Sequence, residues 1–189
     1  DGGDPTLGVG NDYILCEGNR AYYNVIASEY NGVDIFNFAH VDLANNTVVD
    51  SAANGIVVMT NNSSGVSVTG TKVRNNIVAF AGEHLLAHVS AVDSIVDYNL
   101  YFPDAPTALY LEDGAAPLST DLAGFKAATG FDAHSLAKDP LFVDADAADF
   151  HLRKGSPAID CGADAGLSED PDGVAVPQGA APDIGAHEF

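Results

Sequence analysis

Lys72 and Arg74 are the residues whose type and spacing come closest to a catalytic pair. They lie two positions apart, directly before Asn75 and Asn76. Side chains alternate between the faces of a β-strand, so a strand here would place both on the solvent-facing side. Basic groups can neutralise a substrate carboxylate and take part in proton transfer. The alternative is that two solvated charges keep a strand soluble. We treat Lys72 and Arg74 as candidate catalytic residues.

A second candidate is an acidic loop. Asp144, Asp146 and Asp149 place three carboxylates within six residues, and calcium prefers hard oxygen ligands of this kind. The loop lacks the glycine and the terminal glutamate of an EF-hand, so a solvated acidic turn is the alternative interpretation. The pattern predicts a calcium site at these three residues, and we expect no other cofactor.

Aromatic side chains form the third candidate set. Tyr22, Tyr23 and Tyr30 lie close together near the start of the chain. Tyrosine combines a large apolar ring with a polar tip, which suits a surface that contacts a partner. We predict that they line a groove that binds a glycan or a protein.

The charge balance limits the possible partners. The chain has 27 acidic and 7 basic residues, a net charge of −20. Nucleic-acid binding needs clustered lysine and arginine, so it is not expected, and neither is binding to an anionic membrane surface. No apolar run approaches the roughly 18 residues of a membrane helix, so no membrane insertion is expected. An acidic surface suits a secreted protein, but a groove for an anionic polysaccharide would need a local basic patch or bridging calcium.

The chain from Asn24 to Leu111 contains an irregular repeat. Asparagine precedes a short β-prone segment four times, at Asn24, Asn46, Asn76 and Asn99, with spacings of 22, 30 and 23 residues. A second strand follows each one, and a third strand precedes the next asparagine, as at 41–43, 66–69 and 95–98. Three short strands per repeat predict a parallel β-solenoid, and an antiparallel sandwich is the competing fold.

The recurring asparagines favour the solenoid. Stacked repeats place like residues above one another, so buried asparagine side chains can form a hydrogen-bonded ladder. Asparagine also tolerates the left-handed backbone that a sharp corner needs, so we expect it at the corners. Four or five coils, with strands about 4.8 Å apart, make a short column. We therefore expect coils before Asp1, or another chain, to cover the open end.

The sequence changes after Asp113. Residues 119–121 predict the start of a short surface helix near 120–129, with Leu122, Phe125 and Ala128 on one face and Gly130 at its end. Strands are expected at 141–143 and 150–152. From 164 onward the chain is rich in glycine, proline and aspartate, which predicts an extended tail on the coils. The domain prediction is therefore coils over 1–163 and a tail over 164–189.

The two cysteines, Cys16 and Cys161, lie near opposite ends of the chain. A disulfide between them would require the C-terminal tail to fold back. Two free thiols are the equal alternative, and two such cysteines do not make a metal site.

Five C-terminal segments together carry a family resemblance, and they lie at residues 129–136, 139–144, 149–152, 156–162 and 183–189. In this order they resemble the C-terminal signature of bacterial right-handed parallel β-helix proteins of the pectate-lyase-like superfamily. One departure follows Asp172 and Gly173, where relatives often carry a basic residue and this chain has Val174. Physically, we expect Asp160, Asp183 and Glu188 to maintain the fold, with Asp160 accepting backbone N–H bonds and Gly185 allowing close packing.

The resemblance implies an all-β, right-handed parallel β-helix of about four to five coils and a secreted or cell-surface location. It also implies the C-terminal part of a carbohydrate-active protein, of polysaccharide lyase or glycoside hydrolase type, and in such lyases the base is commonly lysine or arginine. A fold alone does not determine an activity. The alternative is a non-catalytic module for adhesion or for binding a glycan or protein.

Overall fold

The computed structural model describes residues 18–28, 30–36, 40–59, 69–87, 94–111 and 118–189. Within these ranges the chain forms sixteen β-strands and one α-helix, and most strands pair in parallel. The prediction of an all-β protein with one short helix is confirmed. No helix within these ranges is long and apolar enough to span a membrane.

Twelve strands over residues 20–111, here called the repeat region, build three sheets in rotation. The first sheet contains β1 (Arg20–Tyr22), β4 (Asp42–Ala44), β7 (Lys72–Arg74) and β10 (Ile95–Asp97). The second contains β2 (Val25–Ala27), β5 (Thr47–Val49), β8 (Ile77–Ala79) and β11 (Leu100–Phe102). The third contains β3 (Val33–Phe36), β6 (Asn54–Met59), β9 (Glu83–Ala87) and β12 (Leu109–Leu111). Neighbours within each of these sets are parallel, which is compatible with a β-solenoid.

Register places like residues above one another in the core. In the first sheet Leu43 pairs with Val73, and Val73 pairs with Val96. All three side chains are almost fully buried. They belong to one apolar cluster with inward side chains of the other two sheets, among them Val48, Val78, Tyr101, Ile56 and Leu85. Burial of this cluster stabilises the stack of strands.

The predicted asparagine ladder is confirmed. The side-chain amide nitrogen of Asn24 donates to Asn46 Oδ1 at 2.8 Å, Asn46 donates to Asn76 at 2.9 Å, and Asn76 donates to Asn99 at 3.1 Å. Asn46, Asn76 and Asn99 are buried. Each Oδ1 along the ladder also accepts the backbone N–H of the preceding asparagine. The ladder satisfies polar groups at the corner between the first and second sheets.

The left-handed residue at this corner is the one before each ladder asparagine. Tyr23, Asn45, Asn75 and Tyr98 have φ between 53° and 59°. The expectation that the ladder asparagines themselves adopt this conformation is wrong. Their side chains are committed to the ladder, and the preceding residue makes the turn.

Residues 118–189, here called the C-terminal segment, begin with β13 (Leu118–Thr120) and α1 (Leu122–Thr129). Asp121 caps α1 by accepting the N–H of Gly124, and Gly130, at φ 75°, ends it. Leu122 and Phe125 are buried as predicted, whereas Ala128 is exposed. β13 extends the third sheet in the antiparallel direction, and β14 (Leu136–Ala137) extends the second sheet in parallel.

β15 (Phe142–Asp144) and β16 (Asp149–Leu152) form an antiparallel pair. Both overlap the strands predicted at 141–143 and 150–152. Their aromatic residues Phe142 and Phe150 join a second apolar cluster with Ile184 and with outward side chains of the second sheet, including Val49, Ile77 and Leu100. The C-terminal segment therefore covers the outer face of the second sheet, and the strands β5 and β8 are buried throughout.

Close backbone approach at Gly185 completes this cover. A Cβ atom added at Gly185 would lie 2.7 Å from Ile77 Cδ1, and the residue has φ of 109°. Gly185 donates its N–H to Asn75 O at 2.8 Å, and Ala186 donates its N–H to Thr47 Oγ1 at 3.0 Å. The expectation that a small residue allows close packing here is confirmed.

Candidate functional site

The outer face of the first sheet carries a mixed polar surface. The middle residue of each strand points into the core, so the first and third residues of β4, β7 and β10 point outward. The second sheet has its outer face covered by the C-terminal segment. The outward side chains of the first sheet are therefore better placed than those of the second sheet to meet a partner.

Three of the chain's seven basic residues lie on this face: Arg20, Lys72 and Arg74. Arg20 pairs in register with Asp42, and Asp42 pairs with Lys72. Paired residues on neighbouring strands lie about 4.8 Å apart, so the sheet lines up these charges in a row. We call the outward residues Arg20, Tyr22, Asp42, Lys72, Arg74 and Asp97 the first-sheet surface.

Arg74 is held in a fixed orientation on the first-sheet surface. Its Nη2 lies 2.9 Å from Asp42 Oδ2 and its Nε lies 3.3 Å from Asp42 Oδ1. Its Nη1 also donates to the carbonyl oxygen of Asp164 at 3.1 Å. This two-point contact with Asp42 fixes the plane of the guanidinium group.

Asp97 holds an aromatic pair at the β10 edge of the surface. Asp97 Oδ1 accepts the backbone N–H of His134 at 2.7 Å, and Asp97 Oδ2 lies 2.7 Å from His134 Nδ1. The imidazole stacks on Tyr98 with ring centroids 4.6 Å apart and an interplanar angle of 11°. The sequence analysis did not predict a role for His134. Its signal was weak, since 37 residues separate it from Asp97.

The tail borders the surface at its other edge. Ala165 and Leu167 line a small depression together with Arg20, Tyr22 and Asp42. Tyr22 is 49% exposed. Tyr22 on this surface and the stacked Tyr98 next to Asp97 thus place aromatic rings beside charged groups.

Of the three predicted tyrosines, Tyr22 and Tyr23 are in contact, and Tyr30 lies in a different part of the chain. Tyr22 lies on the first-sheet surface, in the same sheet as Lys72 and Arg74. Tyr23 packs edge-to-face on Tyr22, with ring centroids 6.1 Å apart. Burial, together with the negative charges of Glu188 and Asp170, raises the pKa of Tyr23 to about 12. Tyr30 lies between β2 and β3 and is 70% exposed. The predicted roles of all three stay predictions.

The residues of the predicted calcium site lie around a turn. Asp144 Oδ1 accepts the N–H of Ala147 at 3.2 Å, and Asp149 Oδ1 lies 2.6 Å from His151 Nδ1. Asp144 and Asp146 line an open depression of about 250 Å³, which also includes Arg153. Calcium binding here stays a prediction.

A different group brings ligand atoms together. Within the described residues, one set of three potential ligands has all its ligand atoms within 4.8 Å of one another: His151, Asp172 and His187. Asp172 Oδ2 lies 3.0 Å from His151 Nε2 and 2.8 Å from His187 Nδ1. Contacts with Asp149 first, and then with Asp172, raise the pKa of His151. Contacts with His151 and His187 lower the pKa of Asp172. The sequence analysis did not single out this group.

Asp132 lies buried at the end of the asparagine ladder. Its carboxylate accepts hydrogen bonds from Asn99 Nδ2 and from the Tyr101 hydroxyl, both at 3.2 Å, and from the Ser135 hydroxyl. Burial raises the pKa of Asp132 to about 6, although these bonds favour its charged form. Asp132 is fully enclosed, so we assign it to the fold and not to the surface site.

Cys161 is exposed, and Cys16 lies outside the described residues. The strand predicted at 66–69 also falls mostly outside them, and the structure places a first-sheet strand at Lys72–Arg74.

Comparison of the chain with models of known protein families and with curated proteins found no match.

Proposed function

We propose that this chain is the C-terminal part of a secreted, right-handed parallel β-helix protein that binds polysaccharide on the first-sheet surface. The observation that carries the proposal is the gathering of three of seven basic residues beside an exposed tyrosine on one sheet face. The handedness and the superfamily rest on the sequence resemblance, and the parallel stacked sheets are compatible with them.

Charge supports the location of the site. Arg20, Lys72 and Arg74 contribute three positive charges and Asp42 and Asp97 two negative ones, so the surface has a net charge of +1. The whole chain carries −20. A polysaccharide with carboxylates would therefore meet much less repulsion here than over the chain as a whole.

The shape of the surface supports an extended ligand. Strands of a parallel sheet repeat about every 4.8 Å, so the surface offers a series of similar positions along the stack. Tyr22 at one edge supplies an apolar ring, and Tyr98, stacked on His134, supplies another beside Asp97. A sugar chain presents apolar ring faces and polar edges, which match rings next to charged groups.

A lyase activity at the same surface is the second candidate, and the fixed position of Arg74 favours it. A guanidinium stays protonated at any physiological pH, so Arg74, oriented by Asp42, would neutralise a uronate carboxylate. Lys72, two residues earlier in the same strand, would then be the base. If the protein does not cleave the polysaccharide, the same residues would only bind it.

The test measures binding of soluble polygalacturonate and of a neutral β-glucan by isothermal titration calorimetry. We expect Lys72→Ala and Tyr22→Ala each to weaken binding about tenfold, equivalent to about 1.4 kcal/mol. Lys154→Ala and Phe189→Ala are matched controls, because both side chains are exposed and lie outside the first sheet. Equal losses in the control variants would place the site elsewhere, and no binding by the wild type would reject the proposal.

Incubation of the protein with the same polysaccharides distinguishes binding from catalysis. Lyase action shortens the polymer and leaves unsaturated ends that absorb ultraviolet light. We expect any such activity to disappear in Lys72→Ala. Binding without chain shortening would support the non-catalytic module.

A further inference from the structure

We propose that His151, Asp172 and His187 form a binding site for a divalent transition-metal ion of the zinc type. The site lies in the C-terminal segment and does not depend on polysaccharide binding. Asp172 Oδ2 stands between the two imidazoles, 3.0 Å from His151 Nε2 and 2.8 Å from His187 Nδ1. The two rings pack with centroids 4.1 Å apart.

The type of ligand selects the class of ion. Two imidazole nitrogens and one carboxylate oxygen are ligands that zinc accepts, whereas calcium and magnesium prefer oxygen alone. Zinc binds such atoms at about 2.0–2.1 Å, so tetrahedral ligand atoms lie about 3.3 Å apart. The oxygen–nitrogen distances of 3.0 and 2.8 Å would open by about 0.3 and about 0.5 Å, and all three ligand atoms already lie within 4.8 Å of one another. Three protein ligands leave a fourth position for water.

Asp149 prepares His151 for this role. Asp149 Oδ1 lies 2.6 Å from His151 Nδ1. With a proton on Nδ1 donated to that carboxylate, the neutral ring would offer the lone pair of Nε2 to an ion bound between it and Asp172. In zinc sites, the ring nitrogen of a ligating histidine that does not bind the metal commonly donates its N–H to a carboxylate. That bond fixes the tautomer and orients the ring. Asp149 is therefore a positioning residue.

One buried carboxylate holds the other two ligands in place. Asp170 is 7% exposed. Its Oδ1 accepts the N–H of Asp172 at 2.9 Å, and its Oδ2 accepts the N–H of Glu188, next to His187, at 3.0 Å. The backbone at both ligands is thus fixed by a single side chain. The cluster is preorganised and is not a chance meeting of long surface side chains.

The surroundings allow an ion to reach the cluster. The side chains of His151 and Asp172 are 48% and 49% exposed, and that of His187 is 13% exposed. The ligands come from β16, from the turn at 170–173 and from the C-terminal residues. A bound ion would therefore cross-link three parts of an otherwise irregular segment.

The experiment uses the full chain without a histidine tag, stripped with a chelator and then titrated with zinc chloride or cobalt chloride. We expect one ion per chain by calorimetry, strong visible absorption from tetrahedral cobalt, and a higher midpoint of thermal unfolding with zinc. Asp172→Asn and His187→Ala should each weaken zinc binding at least tenfold. Asp149→Asn should weaken it by about 10- to 100-fold, as expected for an outer partner.

His134→Ala is the matched control, because it removes an exposed histidine that pairs with an aspartate outside the cluster. It should bind zinc as the wild type does. Circular dichroism in chelator checks folding, and the exposed Asp172→Asn keeps the test valid if His187→Ala does not fold. Equal zinc affinity of the wild type and Asp172→Asn, or cobalt spectra without tetrahedral bands, would overturn the proposal.

Discussion

The repeat region and the C-terminal segment bury different kinds of polar groups. Among the described residues of the repeat region, the buried polar side chains are asparagines, serine, threonines and His84. Every buried carboxylate among the described residues belongs to the C-terminal segment: Asp132, Asp170, Asp183 and Glu188. The boundary between these two kinds of polar interior lies where the strands stop recurring in all three sheets.

The difference follows from what each group can do. An amide both donates and accepts, so an asparagine can link the repeat before it to the repeat after it. A carboxylate only accepts, and it can gather several N–H groups from a chain without a ladder. Asp183 accepts the N–H groups of Asp160 and Phe189, and Glu188 accepts those of Gln178 and Asp183. Asp160, as predicted, accepts backbone N–H groups at Ala180 and Ala181.

The largest effect should come from breaking the ladder in the repeat region. Asn76→Ala removes donors to Leu43 O, Arg74 O and Asn99 Oδ1. The free energy of unfolding should fall by about 3 kcal/mol or more, because several buried groups lose their partners. Urea denaturation measures it. Asn24→Ala, at the exposed end of the ladder, is the control and should cost less than about 1 kcal/mol. Equal losses would mean that the ladder does not act as a buried network.

The next effect tests the C-terminal segment. Asp183→Ala should lower the free energy of unfolding by about 2 kcal/mol, because two partly buried N–H groups lose their acceptor. Asp164→Ala is the comparison, since Asp164 is exposed and its side chain accepts a local bond from Gly166 N. That change should cost less than about 1 kcal/mol. A wild-type denaturation curve for Asp183→Ala would show that the carboxylates do not hold this segment.

The buried carboxyl groups of the C-terminal segment should make the stability of the protein depend on pH. Burial raises the pKa values of Asp132 and Asp183 to about 6, above the usual value of 3.8. The folded protein therefore holds extra protons between about pH 4 and pH 6, so stability should fall as pH rises through this range. We expect a higher unfolding midpoint at pH 5 than at pH 7, by scanning calorimetry. The raised pKa of His151 acts in the same direction above its usual value of 6.5, whereas burial lowers the pKa of His84 in the repeat region, which acts in the opposite direction below 6.5.

Matched variants separate the effect of these two carboxyl groups on the pH dependence from the effect of the net negative charge, which also decreases as the pH falls. Asp132→Asn and Asp183→Asn should each flatten the slope between pH 5 and pH 7. Asp146→Asn, which changes an exposed aspartate, should leave it unchanged. If all three variants keep the wild-type slope, the slope comes from net charge and not from burial.

The smallest effect concerns the helix near the boundary. Asp121→Ala removes the acceptor for the N–H of Gly124 and should cost about 1 kcal/mol. Asp121→Asn keeps a capping oxygen and should cost much less. Thermal unfolding of both variants measures the difference. Equal destabilisation would mean that charge, and not the hydrogen bond, makes the cap.

The repeat region was predictable because the same residue type occurs at the same place in successive repeats. Asn46, Asn76 and Asn99 each precede a strand, and stacking them predicts both the sheets and the ladder. The strand expected at 66–69 falls mostly outside the described residues, so it stays a prediction. The interval between Asn46 and Asn76 is the longest of the three, and the structure has its first-sheet strand at Lys72–Arg74. This strand was expected from the alternation of Lys72 and Arg74.

The sites were only partly predictable, for a related reason. Lys72 was selected from local alternation and Tyr22 as one of three nearby tyrosines, and the sheet brings both onto one face. The cluster of His151, Asp172 and His187 joins residues 21 and 15 positions apart. No periodicity links them, because the turn that brings them together depends on Asp170. Local spacing instead drew attention to Asp144, Asp146 and Asp149.

The asparagine ladder has a direction. Each amide donates towards the next asparagine, and the last, Asn99, donates to Asp132. When ionised, that carboxylate has no proton to pass on, so the relay stops there. The ladder therefore has two chemically distinct ends, and the ionised Asp132 cannot donate to a further asparagine as each ladder amide does.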